Sequence, residues 1–289
     1  MCHPDPVPFT FFAHQIPVLP IKSRWPEVDG LALVVGSIAP DLWYVTNGWH
    51  YGPFNVHLWQ DGHDWHNAIG HWGLLTLVIC AVLRRWVFAV VPRAVPDCGD
   101  FHLRDLALLS RARPAWWSTL LCGIVGGATH VLLDSFTHPD GFVVERVGAF
   151  RTTLFSIVGH DVSLYRILQQ GGTVFGTLIG LEMLRRIGRD RRVRAWYGVG
   201  AAARTEGDVA LPPSARRALG AGAVLGVVVG LAYAYSRSEF ARADGRFPEH
   251  RASVPIMAFC CVFAVAIALS SVIAVAIERR TAAAQLQAT

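Results

Sequence analysis

The chain has 289 residues, of which 53% are hydrophobic and only 16% charged, and its mean hydropathy is +0.37. With ten Trp added, this composition argues against a soluble enzyme and for an integral membrane protein. The net charge of +5 is almost all Arg, since Lys22 is the only lysine; without an aromatic-plus-basic recognition motif it reads as topology-setting loop charge, and no nucleic-acid partner is expected.

At the N-terminus no basic region precedes an apolar core, so no cleavable signal peptide is expected and insertion falls to internal helices. Residues 8–20 read as a short apolar helix closed by Pro, with His14 in its middle. Residues 30–45 form a second short apolar element that breaks at Ala39-Pro40 and presents Asp41. Both are too short for full spans and read as half-membrane helices or helices packed on a bundle. Residues 46–67 are a loop dense in His, Trp and Gly. Its His50 and His57 are assigned to an interfacial aromatic belt; His66, which opens the next apolar run, can be held by helix packing.

The first full span is expected from Ala68 to Leu83, reaching Val91 if Arg84 and Arg85 snorkel. The second is 115–134, within a stretch from Pro114 to Leu133 that carries no Asp, Glu, Lys or Arg. A polar loop over 135–167 follows, then a short third span over 168–184 that includes Glu182. The Arg-rich segment to Arg217 reads as a partly disordered loop. The fourth span is 218–236 and the fifth 252–277, separated by a polar loop over 237–251. The predicted fold is all-α: a polytopic membrane helical bundle of about five full spans plus short N-terminal helices. Its parts are a membrane domain over 1–185, an Arg-rich cytoplasmic loop over 186–217, and a two-helix membrane hairpin with a short tail over 218–289. The six cysteines show no CxxC spacing, so neither a disulfide framework nor a thiolate zinc site is indicated.

Alternation of the spans puts 17 of the 26 Lys and Arg on one side, nine of them in 185–217, and the positive-inside rule makes that side cytoplasmic. On the opposite side, at one depth, lie the start of the first span, with His66, and the end of the second, with Asp134 and His138. His130, Asp134 and His138 recur every four residues in GGATHVLLDSFTHPDG (126–141) and therefore share one helix stripe. Ionisable groups at such a depth cost roughly 2.5–3.5 kcal/mol each and usually mark function. The candidate metal ligands are His14, Asp41, His66, His130, Asp134 and His138, with Asp41 and Asp134 as candidate catalytic carboxylates. Imidazole and carboxylate without thiolate suit Zn, and also Mn or Fe. No HExxH, nucleophile elbow, P-loop or GxGxxG is present.

The order His14, GSIAPD (36–41), HNAIG (66–70) and THVLLDSFTH (129–138) resembles a bacterial membrane family known as a domain of unknown function. It also resembles LexA-regulated inner-membrane metal-dependent hydrolase-like proteins and, distantly, the zinc-dependent phospholipases C. The resemblance covers about residues 8–185. By the phospholipase pattern, Asp41, His66, His130 and Asp134 would be the core ligands, with His14 and His138 outside them. The downstream HxxxE pair of that pattern is missing, which implies one or two metals rather than three. The expected function is a metal-dependent hydrolase of the bacterial cytoplasmic (inner) membrane. It would act on membrane lipid or another amphiphilic ester or phosphoester at the extracytoplasmic interface. The alternatives are a non-enzymatic metal- or haem-binding protein, with bis-His ligation by His66 and His130, and a membrane assembly or transport protein.

Overall fold

The computed structural model describes residues 13–46, 63–157, 160–198, 210–243 and 250–287. His50 and His57 lie outside the described residues, as do 199–209 of the Arg-rich segment and 244–249 of the loop before the last span. Two short helices open the described chain, α1 (Val18–Arg24) and α2 (Gly30–Gly36), and a 3₁₀ turn over Ala39–Thr46 follows. The long helix α3 (Trp65–Ala94) contains two widened π turns. After it come α4 (Trp116–Thr137), the short α5 (Phe142–Arg146), and an antiparallel hairpin of β1 (Thr153–Ile157) and β2 (His160–Ser163). The chain continues as α6 (164–189), α7 (Arg192–Tyr197), α8 (Pro213–Ala243) and α9 (His250–Gln287). The architecture is thus the expected all-α bundle, and the hairpin is a small insertion in what reads from sequence as a polar loop.

Among the described residues, four helices are long and apolar enough to cross a membrane: Trp65–Ala94, Trp116–Arg146, Pro213–Ser238 and Pro255–Gln287. The expected third span is helical, within α6, but Arg166, Gln169, Gln170 and Glu182 dilute its hydropathy, so composition supports four spans rather than five. The chain divides into two compact units. The first comprises residues 1–77, 116–183 and 238–254; the second comprises 78–115, 184–237 and 255–289.

In the first unit α4 is the axle. Asp29 caps α2 by accepting from the Ala32 N–H at 3.2 Å, and its other oxygen accepts from Thr119 Oγ1 at 2.6 Å, which ties the start of α2 to α4. Lys22 closes the α1–α2 turn by donating to the Pro26 and Val28 carbonyls. Close approach then depends on glycine. A Cβ at Gly126 would enter the backbone of Leu33 and Ser37 on α2, and one at Gly127 would enter the Trp72 side chain on α3. Small residues at such contacts let helices pack by dispersion where no hydrophobic driving force exists.

In the second unit, Gly222, Gly226 and Gly230 on α8 meet Ser270, Ala266 and Phe259 on α9. Asp105, buried on the connector after α3, takes Arg194 at 2.6 Å and Arg191 at 3.1 Å, and Arg185 pairs with Asp100. These pairs tie the connector to the end of α6. The third span expected from the sequence would return the chain through α6, and residues 164–189, at about 1.5 Å per residue, are long enough for a crossing.

Two outcomes follow. Native Cys98, which is exposed, and a cysteine at Arg192 should label from the same side in membranes, and a cysteine at Asp161 from the other; Asp161 labelling together with Cys98 would show that α6 does not traverse. Gly126→Val or Gly127→Val should lower the detergent melting temperature by an overpacking cost of about 1–3 kcal/mol or more. Gly148→Ala, whose Cβ would meet nothing within 4 Å, should leave it unchanged.

Candidate metal centre

Five of the six candidate ligands converge in the first unit, and a sixth residue joins them. The α4 stripe projects His130, Asp134 and His138 from successive turns, with His130 fully buried. Its Nδ1–H donates to the Ser37 carbonyl at 2.8 Å, just beyond the end of α2. That bond places a proton on Nδ1 and turns Nε2 towards the carboxylates. The 3₁₀ turn after α2 delivers Asp41, whose Oδ1 lies 3.6 Å from His130 Nε2. Asp134 Oδ2 lies 3.1 Å from the same nitrogen. His14 arrives from the N-terminal 3₁₀ turn Ala13–Gln15, its ring stacked on that of His130 at 3.8 Å and its Nε2 3.6 Å from Asp134 Oδ1. His138 Nδ1 lies 3.5 Å from that oxygen, beside the Thr137 hydroxyl at 3.2 Å.

His66 is not brought into the cluster. Its ring points outward, 92% exposed, and pairs with Asp64 at 2.7 Å. Asp64 caps the start of α3 by accepting from the His66 N–H at 2.9 Å, which directs the residue before the cap inward instead. That residue is His63, whose Nε2 lies 3.5 Å from both Asp41 Oδ1 and Asp134 Oδ2. From sequence His63 is one more histidine of the aromatic loop. The available signal was Asp64, an N-cap residue placed between the two histidines. With His66 outside and His130 enclosed by carboxylates, the pair that bis-His haem ligation requires is not assembled.

The electrostatics favour positive charge. Burial pulls the His63 imidazole down, but its contacts with Asp134 and Asp41 outweigh this and hold it at about 9. Burial would raise the Asp41 carboxyl, yet His130 and His63 hold it well below the usual carboxylate range. Burial, reinforced by His130, lowers His14 to about 4, so it is a neutral imidazole. Two atoms at the centre, His130 Nε2 and Asp134 Oδ1, are buried and make no hydrogen bond among the described residues. Buried polar atoms are seldom left so, and a cation that accepts their lone pairs satisfies both. Two sets of donors lie close enough together to hold an ion: His14, His130 and Asp134, and Asp41, His63 and His130.

The cluster opens on a cavity of about 560 Å³. His63, Asp134 and His138 line its polar end, and Trp65, Leu132 and Phe142 are among its apolar walls. Gly141 makes this shape possible: a Cβ there would strike the Asp134 and Ser135 carbonyls, so only glycine lets α5 fold back against the end of α4. His130 lies 14 residues beyond Trp116, about 21 Å along the helix, and Asp134 lies in the last turn of the same helix.

No curated protein and no solved structure matches the chain. A family model described as a domain of unknown function (DUF4184) matches residues 7–286. The chain belongs to the DUF4184 family.

Proposed function

We propose that the protein is a metal-dependent hydrolase of the bacterial cytoplasmic membrane, with Zn, or Mn or Fe, as its ion. Its substrate would be a lipid or other amphiphilic ester or phosphoester, reached from the extracytoplasmic interface. The observation that carries this reading is the pair of buried atoms without hydrogen bonds, His130 Nε2 and Asp134 Oδ1, among converging imidazoles and carboxylates beside an apolar cavity. A divalent ion held there would polarise an ester or phosphoryl oxygen and lower the pKa of a bound water towards about 7.

The remaining tasks fall to the chain. His130 is locked by Ser37 into the ligating tautomer, and His14 stays neutral and ready to ligate. Asp41 or Asp134 would take a proton from the attacking water, whose oxygen joins the acyl or phosphoryl centre, and return that proton to the alcohol oxygen as its bond to that centre breaks. Trp65, Leu132 and Phe142 receive the apolar part of the substrate. All three are exposed, at 57%, 56% and 63%, which suits a wall continuous with lipid. The sidedness rests on the distribution of Arg described above, and the expected phosphoester preference on the phospholipase resemblance.

Detergent-purified protein should contain a divalent metal and hydrolyse one of a panel of fluorogenic lipid esters and phosphodiesters. Chelation should abolish turnover and Zn²⁺ should restore it. Asp134→Asn keeps the shape and removes the charge, and should cut metal occupancy and lower turnover by at least the roughly 10–100-fold expected for even an indirect ligand partner. Metal-free wild-type protein, or turnover indifferent to chelator and to Asp134→Asn, would defeat the proposal.

A further inference from the structure

We infer that the β1–β2 hairpin is an amphipathic seat that lies flat on the bilayer at the end of α4, with Leu154 and Phe155 dipped into lipid. Its partner is a lipid surface, and nothing in the inference depends on a metal or on hydrolysis.

The register of the hairpin makes the face. Thr153 pairs with Ser163, Phe155 with Val162 and Ser156 with Asp161. Residues paired across an antiparallel ladder share a face, and neighbours along a strand alternate. The step from Thr153 to Phe155 takes two residues on β1 but one on β2, so Leu154 is the extra residue of a bulge. Without the bulge, Leu154 would face Val162 and Phe155 would point the other way. With it, Leu154, Phe155 and Val162 gather on one face. Thr153, Ser156, Asp161 and Ser163 take the other, where the Ser156 hydroxyl donates to Asp161 Oδ1 at 2.6 Å.

The apolar face is bare: Leu154 is 52% exposed and Phe155 48%. A two-stranded hairpin is marginal in water unless something packs against its apolar side. Lipid is the occupant that the surroundings favour. Phe150, in the 3₁₀ turn Gly148–Arg151 that leads into β1, places its ring 6.1 Å from that of Phe136 in the last turn of α4. The hairpin therefore starts at the level where a spanning helix ends. Leu132 and Phe136 are exposed on α4, Phe142 and Val147 on and beside α5, so exposed apolar side chains run from the span to the hairpin.

Only a flat placement suits such an element. The outer edges of the two strands carry backbone N–H and C=O groups, which hydrocarbon excludes and the headgroup layer accepts. Lying flat, the hairpin keeps those edges and its Ser156–Asp161 face in water. Side chains alone enter the acyl boundary, as with interfacial amphipathic helices. Arg146 and Arg151 stand nearby, Arg151 donating to the Pro139 carbonyl at 2.6 Å and Arg146 lying 3.7 Å over the Phe142 ring. Asp140, Glu145 and Asp161 offset them, so apolar contact rather than headgroup charge holds the seat. Phe142 also walls the cavity, and the seat thereby keeps the cavity at the level of the leaflet.

The test is photo-crosslinking of full-length protein in liposomes of radiolabelled phosphatidylcholine, with p-benzoylphenylalanine in place of one residue at a time. The positions are Leu154, Phe155, Thr153 on the opposite face, and Val125, exposed on α4 within the span, as the lipid-facing reference. All four side chains are exposed, so the probe displaces no packing. The probe at Leu154 and at Phe155 should give a lipid adduct, as at Val125, in a yield unchanged by high salt. At Thr153 the adduct should be lost. An adduct at Val125 with none at Leu154 and Phe155 overturns the inference, and so does equal labelling at Thr153. A crosslinked dimer at Leu154 or Phe155 in place of the lipid adduct would assign the face to a second copy and overturn it as well.

Discussion

The hydrogen bond from His130 Nδ1–H to the Ser37 carbonyl holds the first unit and its centre together. It joins the end of α2 to the middle of α4, it sets the tautomer, and it aims Nε2 at Asp41 and Asp134. In an apolar setting such a bond has no water to compete with it, and an unmet carbonyl there would carry the full cost of desolvation. Backbone satisfaction and ligand orientation are therefore one interaction. A packing change that moved α2 away from α4 would also disorder the chemistry.

That bond forms only because α2 reaches α4 at backbone distance. Gly123, Gly126 and Gly127 present no side chain to α2 and α3, and Asp29 closes the other end of the same contact through Thr119. The segment that carries His130, Asp134 and His138 thus also carries the glycines that bring the other candidate ligands to it. Asp41 comes with α2, and His63 comes with the start of α3. Such coupling is what a centre buried in a membrane bundle requires, because loops cannot cross hydrocarbon to deliver ligands.

The second unit uses different means. Its connector after α3 and the end of α6 are joined by Asp105 between Arg191 and Arg194, and its α8–α9 hairpin packs through glycines spaced four apart. Arg191 and Arg194 thereby tie the segment after α6 to the connector. The cavity beside the centre is likewise a product of small detail: Gly141 lets α5 fold back over the last turn of α4, so apolar walls rise next to His63, Asp134 and His138.

Much of this was legible in the sequence. Apolar runs show where helices fall because hydropathy and helical period are local properties. The period of four shows that His130, Asp134 and His138 share a face for the same reason. Pro40 marks a break that presents Asp41, and alternation of spans puts the start of α3 at the depth of the end of α4. The choice between His63 and His66 could not be read this way. Both belong to one aromatic loop, and only the Asp64 cap, set by how α3 begins against its neighbours, turns one in and the other out. The identity of the inward histidine at a helix start depends on partners distant in the chain, and there the tertiary structure decided what local pattern could not.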